Sequence, residues 1–163
     1  MYRDREAAYR SDPDGGPDAK RWEVDMKIRE IMTTGVECIS PETTLQDAAK
    51  KMKSLDVGFL PICQNDRLVG ALTDRDIAIR GVAEARAAGL RAGDIMTKDI
   101  FYCFDNDDVE HVTDYMKEKE VKRLLILNRD KRLVGVVSIG DLSKVEGIQE
   151  VVGDTLKDIS EAA

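Results

Sequence analysis

The sequence predicts a mixed α/β fold in which one β-α-β-β-α unit is written twice. Three observations carry this. Ile31-Met32-Thr33 returns as Ile95-Met96-Thr97, and Leu68-Val69-Gly70 returns as Leu133-Val134-Gly135. Gly70-Ala71-Leu72-Thr73-Asp74-Arg75-Asp76 recurs as Gly135-Val136-Val137-Ser138-Ile139-Gly140-Asp141, keeping a glycine, two apolar residues, a hydroxyl and an aspartate in step. The repeats run 64 residues apart before the polar turn and 65 after it. The added residue falls where Gln64-Asn65-Asp66-Arg67 gives way to Asn128-Arg129-Asp130-Lys131-Arg132, and one residue more in an exposed turn costs little.

Each copy shows the same order of signals. A short strand is expected over residues 36–39 and again over 100–104. A helix follows, marked in the first copy by Leu45, Ala48, Ala49, Met52 and Leu55 at spacings of three and four, and in the second by Val109, Val112 and Met116. Its start is read at Thr43 with Gln46 three residues on, and at Asp107 with Glu110. Hairpins are expected over 58–63 with 68–73, and over 123–127 with 133–138. A second helix begins at Asp74 or Ile139; the first of these runs toward Gly89, with Gly81 weakening its middle.

A strand-helix-strand order favours a right-handed crossover between parallel strands. Each half then becomes a three-stranded mixed sheet with both helices on one face, too small to be stable alone. The halves are expected to pack sheet to sheet about a pseudo-twofold axis. The chain divides into a tail over 1–24, a first repeat over 25–88, a second over 89–146, and an amphipathic C-terminal helix over 147–163. The tail holds Asp12-Pro13-Asp14-Gly15-Gly16-Pro17-Asp18, with almost nothing to bury, so it reads as mobile, with Trp22 as a residue that docks. In the last segment Ile148, Val151, Val152, Leu156 and Ile159 form one stripe, which needs cover from its own domain or from a partner subunit.

A formal charge of −7 and an isoelectric point near 4.9 argue against nucleic-acid or anionic-membrane partners, which need a basic face. No apolar run approaches the roughly 18 residues that span a bilayer, and Met1-Tyr2-Arg3-Asp4-Arg5-Glu6 has no signal-peptide character. The expected setting is cytoplasmic. There Cys38, Cys63 and Cys103 are expected as reduced, buried thiols. Cys38 and Cys63 end neighbouring strands, however, so a disulfide between them is conceivable and would make the first half redox-sensitive.

The Ile-Met-Thr segments, Leu60-Pro61-Ile62, the Leu-Val-Gly turns and the two terminal motifs, in order and twice, resemble tandem cystathionine-β-synthase (CBS) domain proteins. Two such repeats form the pair often called a Bateman module. The resemblance covers about residues 27–145, and Leu60-Pro61-Ile62-Cys63 with Thr73-Asp74-Arg75-Asp76-Ile77 is similar to stand-alone bacterial members like hypoxic response protein. It implies two pseudo-symmetric clefts for adenosyl compounds (AMP, ADP, ATP, sometimes S-adenosylmethionine or a dinucleotide such as NAD) and a regulatory, energy-sensing role. It also implies a homodimer shaped as a disc of four repeats. An adenosyl nucleotide would be a regulatory ligand, not a required cofactor.

Thr73 and Ser138 stand where a strand hands over to a helix, whose free N–H groups and positive end favour phosphate. Asp76 and Asp141, one turn on, suit vicinal ribose hydroxyls. Gly70 and Gly135 permit close approach by ligand or by a neighbouring element. The family's layout puts the base beside backbone at Thr33 and Val36 and at Thr97 and Ile100, and Arg75, Lys122 and Arg123 within reach of phosphates. Arg75 is matched by Gly140 and Phe59 by Arg123, so the clefts are expected to be unequal. A hydroxyl followed by an acid is also a plain helix cap; recurrence in matched repeats favours a ligand in at least one cleft. Asp105-Asn106-Asp107-Asp108 lacks the glycine and distant glutamate of a calcium loop, and His111 reads as a solvated side chain. No catalytic residue or metal ligand is identified. The alternatives to a sensor are a ligand-free interaction module working through dimerisation or a protein partner, and, less favoured, a nucleotide enzyme.

Overall fold

The computed structural model describes residues 24–84 and 89–161. The expected tail and its Trp22 fall outside the described residues, as does the approach to Gly89 over residues 85–88. The first copy comprises a 3-10 turn (Ile28–Glu30), β1 (Thr33–Thr34), α1 (Leu45–Leu55), β2 (Phe59–Gln64), β3 (Arg67–Thr73) and α2 (Asp74–Asp76), which continues as a π-helical run, Ile77–Ala83. The second comprises α3 (Ala92–Ile95), β4 (Tyr102–Phe104), α4 (Val109–Glu118), β5 (Arg123–Leu127), β6 (Leu133–Ser138) and α5 (Ile139–Leu142), followed by α6 (Gln149–Glu161).

α1 and α4 each start one residue later than the sequence suggests. Thr44, not Thr43, caps α1, its hydroxyl accepting from the Asp47 amide at 3.1 Å, while the Thr43 hydroxyl closes the preceding turn onto the Ser40 amide. Asp56 ends α1 in the left-handed conformation (φ 53°). At α4 the N-cap is Asp108; Asp107 instead accepts from the Phe104 amide at 2.7 Å and ties down the turn. Gly81 sits where a Cβ would lie 2.9 Å from Leu45 Cδ1, so its missing side chain lets the π-helical run lie close on α1 rather than merely weakening the helix.

Strand alternation sorts the core into layers. Leu60, Ile62 and Leu72 face α1, with Leu45, Ala48 and Met52; Leu124, Ile126 and Val137 face α4, with Val109, Val112 and Met116. The opposite faces meet each other: Leu68, Phe59 and Cys63 of the first copy pack with Leu125, Leu127, Tyr102 and Phe104 of the second. The halves therefore pack sheet to sheet, and the two hairpins share a register shift at matching places, between Ile62 and Cys63 and between Ile126 and Leu127. β4 pairs in parallel with β5, as the crossover requires. In the first copy residues 36–39 form no strand; only Ile39 bridges, in parallel, to Ile62. The second opening strand is shorter than expected, starting at Tyr102.

The opening segment of each copy crosses to the other. β1 pairs with β6, Thr33 opposite Val136, and Thr97 bridges Ala71 of β3 at the equivalent position. Ile28 is buried in the second copy's core, and Ala92 and Ile95 in the first's. Two glycines permit this. A Cβ on Gly70 would lie 2.5 Å from Met96 Sδ and 3.1 Å from the Thr97 carbonyl, and one on Gly135 would lie 2.7 Å from Met32 Sδ and 2.9 Å from the Thr33 carbonyl. α6 covers its own domain, burying Val152, Thr155 and Ile159, with Ile148 just before it, against the second copy's helices and leaving Leu156 41% exposed. Gly135→Ala should lower stability by about 1–3 kcal/mol, because backbone opposes the new methyl. Gly153→Ala, in open space on α6, should raise it by roughly 0.5–1 kcal/mol. Urea unfolding of the two variants measures both.

Candidate functional site

β3 and β6 each end on a hydroxyl that closes a reciprocal cap. Asp76 Oδ2 accepts from the Thr73 amide (3.0 Å) and hydroxyl (2.8 Å), and the Asp76 amide donates back to Thr73 Oγ1 (3.0 Å). Asp141 Oδ2 accepts from the Ser138 amide (2.9 Å) and hydroxyl (2.6 Å), with the Asp141 amide returning to Ser138 Oγ (3.3 Å). Only one oxygen of each carboxylate is used this way. The other faces a cation: Asp76 Oδ1 lies 3.5 Å from Arg80, and Asp141 Oδ1 lies 3.3 Å from Lys144.

The helix starts are less open to phosphate than the sequence suggests. Their first amides are taken: Asp74 N–H donates to the Gly58 carbonyl (3.1 Å) and Ile139 N–H to the Lys122 carbonyl (3.0 Å). At the first junction Asp74 Oδ1 also accepts from the Arg75 amide at 2.7 Å; its counterpart Ile139 has no oxygen to do this at Gly140.

Strand pairing brings some of the remaining candidates beside each junction, drawing on both copies. Phe59 pairs opposite Thr73, and Thr97 opposite Ala71, two residues before Thr73. Arg123 pairs opposite Ser138, and Thr33 opposite Val136. Phe59 and Ile100 also pack into the apolar layer between the sheets. Arg75, Lys122 and Arg123 are exposed, and Val36 is half-buried. Gly70 and Gly135 serve the crossing segments, whose methionines fill the space above them.

A groove of about 430 Å³ adjoins the second cleft, lined by Val24, Met26, Ile31, Val145, Asp141, Lys144 and Glu146. Its apolar walls and Asp141 suit a ligand with a flat apolar part and a hydroxylated part. Apart from Asp141, sequence reasoning missed these residues, as it missed Arg80, which donates to the Ile95 carbonyl (2.9 Å) and Thr97 Oγ1 (3.3 Å) besides pairing with Asp76. The signal was there: a base four residues past an acid shares its helical face.

Cys38 and Cys63 are disulfide-bonded, with sulfurs 2.13 Å apart, rather than reduced; Cys103 is free and buried. Burial also accounts for His111, which is half-buried rather than solvated and holds its proton less readily than a free imidazole, and for Asp107, whose carboxyl is raised. Among the described residues no three His, Cys, Asp or Glu side chains are grouped to hold a metal ion, and no helix is long and apolar enough to cross a membrane.

Burial alone would raise the Asp141 carboxyl, but the Ser138 hydroxyl and amide and Lys144 outweigh it and hold it below the ordinary carboxylate value. A folded-state value below the unfolded one stabilises above the unfolded pKa, and the gain fades as pH falls through the folded value. Asp141→Asn should therefore flatten the acid limb of stability below about pH 4, read as urea midpoints against pH. Ser138→Ala should cost about 0.5–2 kcal/mol at neutral pH through loss of the cap.

The CBS domain profile matches residues 28–81 and again 92–147. The CBS domain-containing protein YhcV of Bacillus subtilis is 35% identical over 133 residues, 82% of this chain and 94% of its own. Hypoxic response protein 1 of Mycobacterium tuberculosis is 39% identical over 122 residues, 71% of this chain and 82% of its own. A crystal structure of Hypoxic Response Protein I with two coordinated zinc ions superposes with a TM-score of 0.66 at 36% identity, covering 73% of this chain and 98% of that one. CBSX2 in complex with AMP shares the fold alone (TM-score 0.64, 23% identity, covering 72% of this chain and 93% of that one). With both repeats matched and their opening segments exchanged, the chain belongs to the CBS domain family as a tandem pair.

Proposed function

We propose that the chain is a non-catalytic regulatory module that binds an adenosine-containing ligand, AMP, ADP or ATP before S-adenosylmethionine or NAD, in a cleft between its two CBS repeats. The observation that carries this is the groove beside Asp141. There a half-buried carboxylate with one oxygen outside its cap meets apolar walls large enough for a purine. Ribose hydroxyls would take Oδ1 from Lys144, whose side chain is 78% exposed, freeing its ammonium for a phosphate. The fold can hold such a ligand, as CBSX2 does with AMP. Ligand occupancy alters the angle between the repeats only as far as it favours one angle over another. The repeats are taken as residues 25–88 and 89–146, the setting as cytoplasmic, and the nucleotide as a signal rather than a cofactor.

The same module is read as a homodimer. α6 covers the helical layer of the second repeat, while the matching layer of the first leaves Leu55, Val57, Ile79 and Val82 exposed. A second copy of this chain, meeting it face to face, covers that layer symmetrically.

One observation favours a ligand-free interaction module instead: both aspartates already complete internal caps. Thermal unfolding separates the readings. At one hundred times its dissociation constant, AMP or ATP should stabilise the protein by about 2.7 kcal/mol, roughly 5–10 °C. Asp76→Asn with Asp141→Asn should abolish the shift while keeping an oxygen for each cap. No shift with any adenosyl ligand favours the ligand-free module, and turnover of the nucleotide contradicts both. Val82→Glu should convert the dimer to monomer in sedimentation velocity.

A further inference from the structure

Three of the residues that line the groove beside Asp141 have counterparts in the first cleft that a side chain ties together. By the repeat, Ile31 corresponds to Ile95, Asp141 to Asp76 and Val145 to Arg80. Three lining residues of the open groove are thus matched by three residues that touch one another: Arg80 Nη1 lies 2.9 Å from the Ile95 carbonyl, 3.3 Å from Thr97 Oγ1 and 3.5 Å from Asp76 Oδ1. A valine cannot make these bonds, and among the described residues Val145 lines an open groove.

We propose that Arg80 bolts the first cleft shut, tying the helix of the first repeat to the crossing segment of the second, so that the pair binds one adenosyl nucleotide per chain, in the second cleft. This deepens the function proposed above and rests on it. The guanidinium faces the carboxylate oxygen that a ribose would need, as Lys144 does at Asp141, but it is also held in place by the Ile95 carbonyl and Thr97 Oγ1. Asp74, matched by Ile139, adds a negative charge and occupies the Arg75 amide, which opposes phosphate at the same junction. The guanidinium is an effective bolt because it is always charged and one terminal nitrogen, Nη1, lies within reach of the Ile95 carbonyl, the Thr97 hydroxyl and the Asp76 carboxylate.

The bolt is specific to one repeat, although the crossing itself is symmetric. Thr33 and Thr97 occupy matching positions opposite Val136 and Ala71, yet among the described residues only Thr97 is held by a guanidinium. Lys144 is no substitute: it lies one position before Val145 and matches Ile79 instead.

Calorimetric titration of the full-length chain with AMP and with ATP tests this. The unmodified protein should bind one equivalent, lost in Asp141→Asn and kept in Asp76→Asn. Arg80→Val should take up a second equivalent, and Arg80→Val with Asp76→Asn should return to one. Arg80→Gln, which keeps a polar stem, gives the same gain if the valine variant folds poorly. Hydrogen exchange of the Thr97 amide, bonded to the Ala71 carbonyl, should quicken at least several-fold in either Arg80 variant while that of Leu125, away from the bolt, is unchanged. Two equivalents in the unmodified protein, or one in it and still one in both Arg80 variants, overturns the bolt and leaves the ligand reading intact. No binding by any variant overturns the ligand reading and the bolt together.

Discussion

The exchange of opening segments is the contact on which the rest of the molecule depends. Neither repeat has a complete sheet of its own: the first has a two-stranded hairpin with single bridges to Ile39 and Thr97, and the second gains its fourth strand from Thr33–Thr34. Each crossing segment also brings an apolar anchor, Ile28 or Ile95, into the other repeat's core. The condition for this is negative: no side chain at Gly70 or Gly135, so that Met96 and Met32 can lie over the strands. Stability, the relative placement of the repeats and the make-up of both clefts follow from one steric allowance made twice.

In the function proposed above, that exchange would also couple the groove to the relation between the repeats. A ligand lodged between the Asp141 carboxylate and Ile31 touches a helix of one repeat and the opening segment of the other. It can therefore favour one angle between the repeats without altering either core. The first cleft, with Arg80 spanning from Asp76 to the Ile95 carbonyl and Thr97, already has such a bridge made of protein. Pseudo-symmetry in the backbone is thus combined with asymmetry at the two junctions, where arginine stands in one copy and valine at the matching position of the other.

Much of the architecture was legible because a duplication reveals itself by offset alone. Helix positions came from apolar spacing, and both hairpins came from alternation, since each strand has one face on helices and one on the other sheet. The crossing was not legible: Ile-Met-Thr reads the same whichever partner strand receives it, and the single bridge at Ile39 shows that apolar character over four residues does not guarantee a strand. At the site, the hydroxyl-aspartate pairs were found and the residues closing on them were not. Arg80 looks like any solvated helical base until folding brings the Ile95 carbonyl to it, and Val24, Met26 and Val145 carry no chemical mark before they share a groove. The disulfide was visible only as a proximity, because two cysteines on neighbouring segments are equally compatible with free thiols.

The most direct test of the central claim is a crystal structure of the full chain grown with saturating AMP. The account predicts one nucleotide per chain, its base between Ile31 and Val145, its ribose hydroxyls on the Asp141 oxygen that Lys144 now faces, and Arg80 still across the first cleft. A fully occupied nucleotide bound elsewhere, or a groove left vacant with Lys144 still on Asp141, would contradict it.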